Sequence, residues 1–163
     1  CPEAIIQRCT FHIANEICTW LTKKPKSDAA RELRQLAHYL SAVENPSQAQ
    51  MWLREFIDWY NKYEEYINEK SVDEISGRWW YTHKMLHRSC THIKRAIPNM
   101  FNYTRYANIP KTSNSIESFF GHLKDHLRLH RGLSNEHFKN FVKWYLYLQS
   151  NQGKIAKKYE REK

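Results

Sequence analysis

The sequence predicts a mainly α-helical protein with little β-structure. Two observations carry that expectation. Only four Gly and five Pro occur in 163 residues, so turn signals are too sparse for a sandwich or barrel of many short strands. Apolar residues also recur through most of the chain at the three-and-four spacing of a helical face. Hydrophobic residues make up 41% and charged residues 26%, a globular balance with enough apolar material for a core. Six Trp, ten Tyr and seven Phe exceed what that core needs, leaving aromatic faces on which bases could stack.

Residues 4–9, Ala-Ile-Ile-Gln-Arg-Cys, form a short β-prone run and predict one strand. Phe11 to Thr22 then reads as a helix, with Ile13, Ile17, Trp20 and Leu21 on one face. Lys23-Lys24-Pro25-Lys26 ends it. Ser27 or Asp28 can cap a second helix, because a side-chain oxygen there accepts an orphan backbone N–H. That helix carries Leu33, Leu36, Ala37, Leu40 and Val43, and Asn45-Pro46-Ser47 separates it from a long one, Gln48 to Lys70. Met51, Trp52, Phe56, Trp59, Tyr60, Tyr63 and Ile67 give the long helix a broad apolar stripe. Residues 71–77 read as an acidic connection, and 78–96 as a further helix stopping before Pro98. Residues 98–110 are irregular. Thr112 leads into a helix reaching His130, Gly132 ends it, and Ser134 or Asn135 caps the last, which holds Phe138, Phe141, Val142, Tyr145 and Leu148. A polar, basic tail, 153–163, is expected to fray.

The net charge of +9 is unevenly placed. Residues 1–77 hold nine Lys and Arg against twelve Asp and Glu, net −3; residues 78–163 hold seventeen against five, net +12, with seven of the nine His. This asymmetry points to a polyanion partner for the second half. A solvated basic surface without a specific partner is the plainer alternative. The four cysteines, Cys1, Cys9, Cys18 and Cys90, lack the spacing of a disulfide framework. With no secretory leader and no 18-residue apolar run, a reducing cytoplasm without a membrane partner is expected.

The most informative stretch is Thr112-Ser113-Asn114-Ser115-Ile116-Glu117-Ser118-Phe119-Phe120-Gly121-His122-Leu123-Lys124, continuing to Arg131-Gly132. Helical spacing puts Ile116, Phe119, Phe120, Leu123 and Leu127 on a face expected to be buried. Glu117, Gly121, Lys124 and Arg128 share the neighbouring stripe. A carboxylate one turn from a residue without a side chain, with two cations beyond, suits metal binding beside a phosphate backbone. Asn114-x-x-Glu117 is also the spacing of a capping box, in which the glutamate only bonds back to the helix start.

Residues 109–117, Ile-Pro-Lys-Thr-Ser-Asn-Ser-Ile-Glu, with Leu123-Lys124 and the run Leu127 to Leu133, closely resemble the glutamate helix of bacterial insertion-sequence transposases of the Mutator-like group. Residues 5–12, Ile-Ile-Gln-Arg-Cys-Thr-Phe-His, resemble the Cys-x-x-His segment of the same family. The resemblance implies a ribonuclease H-like catalytic core interrupted by a helical insertion. It divides the chain into a core segment at 1–22, an insertion at 23–108, core again at 109–150 and a basic tail at 151–163. It implies Glu117 as the glutamate of an Asp-Asp-Glu triad holding two Mg²⁺ (or Mn²⁺) ions for phosphodiester cleavage and strand transfer. Transposon-end and target DNA are the implied partners, a homodimer or higher assembly the implied working unit, and the bacterial cytoplasm, at the nucleoid, the implied location. The two family aspartates precede the Cys-x-x-His segment, and nothing before Cys9 supplies them. The chain is therefore expected to be a fragment, inactive alone.

Lys124, Arg128, His130 and Arg131 form the best candidate phosphate cluster, extended by Lys111, Asn114, Lys94-Arg95 and Arg105. Trp79 and Trp80 resemble the insertion-domain Trp that related transposases stack on an unpaired base at a cleaved end; a Trp at such a position is otherwise core. Cys9 and His12 are expected either to pack and hydrogen-bond near the active site or to be simply a buried cysteine and a satisfied core histidine. Zinc would need further ligands from Cys18, Cys90 and His92, whose spacing is not that of a knuckle, so zinc is not expected. Two rival readings are a non-catalytic helical DNA-binding module and a helical protein-interaction domain using the aromatic stripe of 51–67.

Overall fold

A computed structural model describes residues 4–150, and they are mainly helical. The helices are α1 (Thr10–Trp20), α2 (Asp28–Tyr39), α3 (Pro46–Asn68), α4 (Lys84–Ala96), α5 (Asn114–Leu129) and α6 (Asn135–Gln149). A two-stranded hairpin, β1 (Lys70–Val72) and β2 (Trp79–Tyr81), lies between α3 and α4. The chain divides after Ser113 into two compact units.

In the first unit, α1–α4 enclose one core. Ile13, Ile17, Leu33, Leu40, Ile67, Ile93 and Met100 are its most deeply buried large side chains. The Ser27 hydroxyl accepts from Ala30 N at 3.3 Å and so caps α2. Asn45 caps α3, accepting from Gln48 N at 3.0 Å, with Pro46 in the first turn where its missing N–H costs nothing. The buried indoles of Trp52 and Trp59 donate to Leu36 O at 2.9 Å and Ala29 O at 3.0 Å. Those bonds fasten α3 along α2 and satisfy the two buried donors.

Three expectations need correcting. Residues 4–9 are not a strand. Arg8 N donates to Asn99 O at 2.8 Å and Cys9 O accepts from Ile13 N at 3.2 Å as α1 begins, while Gln7 Nε2 to Met100 O at 2.8 Å and Asn102 Nδ2 to Ile6 O at 2.7 Å run through side chains. A ladder needs a second extended backbone alongside, and here the neighbour is the pair of 3-10 turns at Ile97–Asn99 and Asn102–Thr104.

The helix expected at 78–96 begins only at Lys84. Residues 79–81, Trp-Trp-Tyr, instead pair antiparallel with β1, in the register Lys70↔Tyr81, Ser71↔Trp80 and Val72↔Trp79. The turn explains this choice. Asp73 Oδ1 accepts from Ile75 N and Ser76 N, both at 2.9 Å, which holds its carboxyl below the usual range, and Gly77 takes φ +65°. With a turn preset, the aromatic run follows its β preference.

The second unit is a helical hairpin. Gly132 at φ +91° turns the chain and Ser134 caps α6 by accepting from His137 N at 3.3 Å. Phe119 meets Tyr145 at 5.5 Å and His130 meets Phe141 at 5.3 Å between ring centroids. The buried face predicted for α5 is only partly buried. Leu123 is buried and Phe119 and Leu127 half-buried, but Ile116 is 54% and Phe120 47% exposed. Two helices offer each other one stripe apiece, too little to cover five apolar positions.

The basic tail and Cys1 lie outside the described residues. Among the described residues, no helix is long and apolar enough to cross a membrane.

Candidate nucleic-acid interface

Cys9 is the residue before the first turn of α1, and its Sγ accepts from Ser113 N at 3.4 Å. Beside it, Thr10 N and Thr10 Oγ1 both donate to Lys111 O at 3.4 Å. The Cys-x-x-His stretch and the segment leading to Glu117 thus touch, although about a hundred residues separate them in sequence. Burial opposes ionisation of the Cys9 thiol and is the largest influence on it. Hydrogen bonds from Ser113 and His12 together outweigh burial and lower its pKa to about 7. His12 stands edge-on to Phe11, with ring centroids 5.6 Å apart.

Lys111 has a structural task. Its ammonium donates to Ser41 O and lies 5.7 Å from the Tyr103 ring centroid. Tyr103 in turn donates to Val43 O at 2.8 Å. Its amine is therefore engaged, and it is a weaker phosphate candidate than the charge pattern suggested.

On α5, Asn114 opens the helix and Glu117 lies exposed in its first turn, where the helix dipole favours a negative charge. Gly121 follows one turn later, and a Cβ there would meet no atom within 4 Å. The protein's own packing therefore does not require a glycine at this point. Lys124 is exposed. Arg128 is also exposed, 3.4 Å from Asp125 in a surface pair that holds it weakly. Arg131 is exposed in the turn, while His130 packs its ring against Phe141. Lys124, Arg128 and Arg131 thus present their charges at the surface.

Trp79 and Trp80 are not core residues. On β2 they are 55% and 48% exposed, and the Lys70 ammonium lies 4.3 Å from the Trp79 ring centroid. The hairpin, and not a helix, carries both rings, and leaves them partly open to solvent.

The cysteines and histidines considered for zinc are dispersed. Cys18 Sγ lies 3.7 Å from His38 Nε2. Cys90 is buried, and that burial pushes its thiol up to about 11. His92 faces Glu16. Among the described residues, no group of three or more His, Cys, Asp and Glu side chains converges to hold a metal.

No family profile, curated protein or solved structure matches this chain.

Proposed function

We propose that this chain is part of a DNA transposase of the Asp-Asp-Glu type, in which α5 contacts DNA and Glu117 supplies one carboxylate of the metal site. The observation that carries the reading is the contact of residues 9–10 with 111–113. Two stretches that resemble one catalytic core meet in space, and α1, beside the first of them, shares one core with the helices α2–α4 that lie between them in sequence. The exposed apolar residues of α5 and α6 support it further. A helical hairpin that buries only Leu123 among its described apolar side chains is a layer made to pack on something larger, such as a ribonuclease H-like sheet.

The fit to Mg²⁺ is incomplete. Glu117 is a suitable hard oxygen donor, but one carboxylate cannot hold two metal ions. The reading requires two further carboxylates, so no chemical step is assigned to these residues alone. Their own contributions are phosphate binding by Lys124, Arg128 and Arg131, and close approach of DNA at Gly121. Transposon-end DNA as partner, a dimeric or larger working complex and a bacterial cytoplasmic setting belong to the same proposal.

The test places Mn²⁺ and duplex DNA on the full chain and follows paramagnetic broadening of backbone resonances. Broadening centred on the first turn of α5, abolished by Glu117→Gln with DNA binding retained, is expected. Salt-dependent DNA binding without any Mn²⁺ effect at Glu117 would leave the non-catalytic DNA-binding module as the better account. Absence of salt-dependent binding would end both.

A further inference from the structure

Residues 78–113 contain seven Lys and Arg and no Asp or Glu. Helix α4 sorts part of that charge into a line. Lys84, Arg88, His92 and Arg95 are spaced four, four and three residues apart, which places them on one stripe. Leu86, Cys90 and Ile93 on the other side of the helix are buried. At about 1.5 Å per residue the stripe is roughly 16 Å long. Lys84, Arg88 and Arg95 are exposed.

Two further elements complete the surface. Arg8 joins its C-terminal end, because Arg8 N is bonded to Asn99 O just beyond α4. From α1, Trp20 lies under Arg88, with the guanidinium carbon 4.1 Å from its ring centroid, and stands edge-on to His92 at 5.3 Å. This contact limits how freely the Arg88 side chain moves. The acid in the cluster is Glu16, whose Oε2 lies 3.1 Å from His92 Nε2, but without hydrogen-bond alignment, so that buried nitrogen has no hydrogen-bond partner. Burial first, and then Arg8, Arg88 and Arg95, hold His92 below its usual pKa against the opposing pull of Glu16. Among the described residues, none of Arg8, Lys84, Arg88 and Arg95 forms an ion pair.

We propose that this face of α4, with Arg8, binds the sugar–phosphate backbone of duplex DNA and is a DNA contact separate from the α5 residues. The unpaired cations of this row, Lys84, Arg88 and Arg95, continued by Arg8, suit a ligand whose charge is itself a continuous line, about one phosphate per 1.7 Å of duplex axis. Arginine supplies a forked, permanently charged donor for phosphate oxygens. The exposed Trp79 and Trp80 precede the same helix and add aromatic surface beside its start. The proposal shares its ligand with the transposase reading but does not depend on Glu117.

The experiment titrates a short fluorescent duplex with the full chain at several salt concentrations. It compares wild type with Arg88→Gln/Arg95→Gln and with Arg128→Gln/Arg131→Gln. Because Arg88 packs on Trp20, Lys84→Gln/Arg95→Gln is measured as well, and far-ultraviolet circular dichroism checks that each variant is folded. Both α4 double variants are expected to bind roughly tenfold or more weakly at moderate salt, with the log–log salt slope reduced by about two. Unchanged affinity and slope in a folded α4 variant overturn the proposal. If Arg128→Gln/Arg131→Gln still weakens binding in that case, the DNA reading of α5 survives its failure. If the wild type fails to bind the duplex at low salt, the two fall together. A polyglutamate probe that the wild type holds through this stripe while ignoring DNA would also overturn it, in favour of an acidic protein partner.

Discussion

The Sγ of Cys9 accepts a hydrogen bond from the backbone N–H of Ser113 at 3.4 Å, across 104 residues of chain. Cys9 stands at the start of α1 and Ser113 immediately before α5. With the two Thr10 bonds to Lys111 O, this contact is where the segment leading to the candidate glutamate is tied to the four-helix unit.

The Cys9 thiolate is stabilised by the same contacts, so its reactivity should report on them. Because its pKa is lowered to about 7, the rate of alkylation by iodoacetamide should rise through neutral pH and level off above it. Cys90, pushed up to about 11 and buried, should react only on unfolding. Peptide mapping by mass spectrometry separates the sites. Ser113→Pro removes the donated N–H and should move the Cys9 profile to higher pH.

Gly121 offers a two-sided check on close approach of DNA. Its Cβ position is open, so Gly121→Ala should stabilise the protein, by up to about 1 kcal/mol, through better helix propensity. If a phosphate backbone passes over this point, the same variant should bind duplex DNA more weakly. Thermal unfolding and DNA affinity measured on the one variant should therefore move in opposite directions; equal or tighter binding would remove Gly121 from the interface.

Trp52 and Trp79 should behave as opposites. Trp52 is buried, stacks on Phe56 at 5.7 Å and donates to Leu36 O, so Trp52→Ala should cost about 3–5 kcal/mol. Trp79→Ala should change stability little, because the ring is 55% exposed, and should instead diminish binding of DNA with unpaired ends. Denaturant titration and binding to frayed and blunt duplexes distinguish the two effects.

His92 gives a pH dependence with a definite sign. Its pKa is lowered in the folded state by burial and by Arg8, Arg88 and Arg95, so protonation favours the unfolded chain. The stability this residue contributes is present above its unfolded value of about 6.5 and is lost as pH falls below it. His92→Phe should flatten the fall in unfolding free energy between neutral pH and pH about 5. His87, lowered by burial and by Lys94, should account for part of the remaining slope.

The clustered core of the chain lies between Ile13 and Met100. A shortened chain ending at Ser113 should accordingly retain a cooperative thermal transition by circular dichroism. Residues 114–150 alone, with Ile116, Phe120, Phe138 and Trp144 exposed, should bind a hydrophobic dye and melt without cooperativity.

Periodicity and caps were sufficient to locate most helices. Ser27, Asn45 and Ser134 cap α2, α3 and α6 as their side chains suggest, because a cap is a contact three residues long. The stripe of Trp52, Phe56 and Trp59 is core for a similarly local reason, since spacing along one helix decides which side chains share a face. Strands are different, because each exists only through its partner. Residues 4–9 have the composition of a strand but lie against 3-10 turns, whereas residues 79–81 pair because the Asp73–Gly77 turn brings β1 back to them. The candidate site divides in the same way. Helical spacing alone puts Glu117, Gly121, Lys124 and Arg128 on one stripe. Only tertiary packing occupies the Lys111 ammonium with Ser41 O, exposes Trp79 and Trp80, and brings Arg8 and Trp20 to the cationic row of α4. Those relationships join residues far apart in the chain, and such distances are determined when the helices pack.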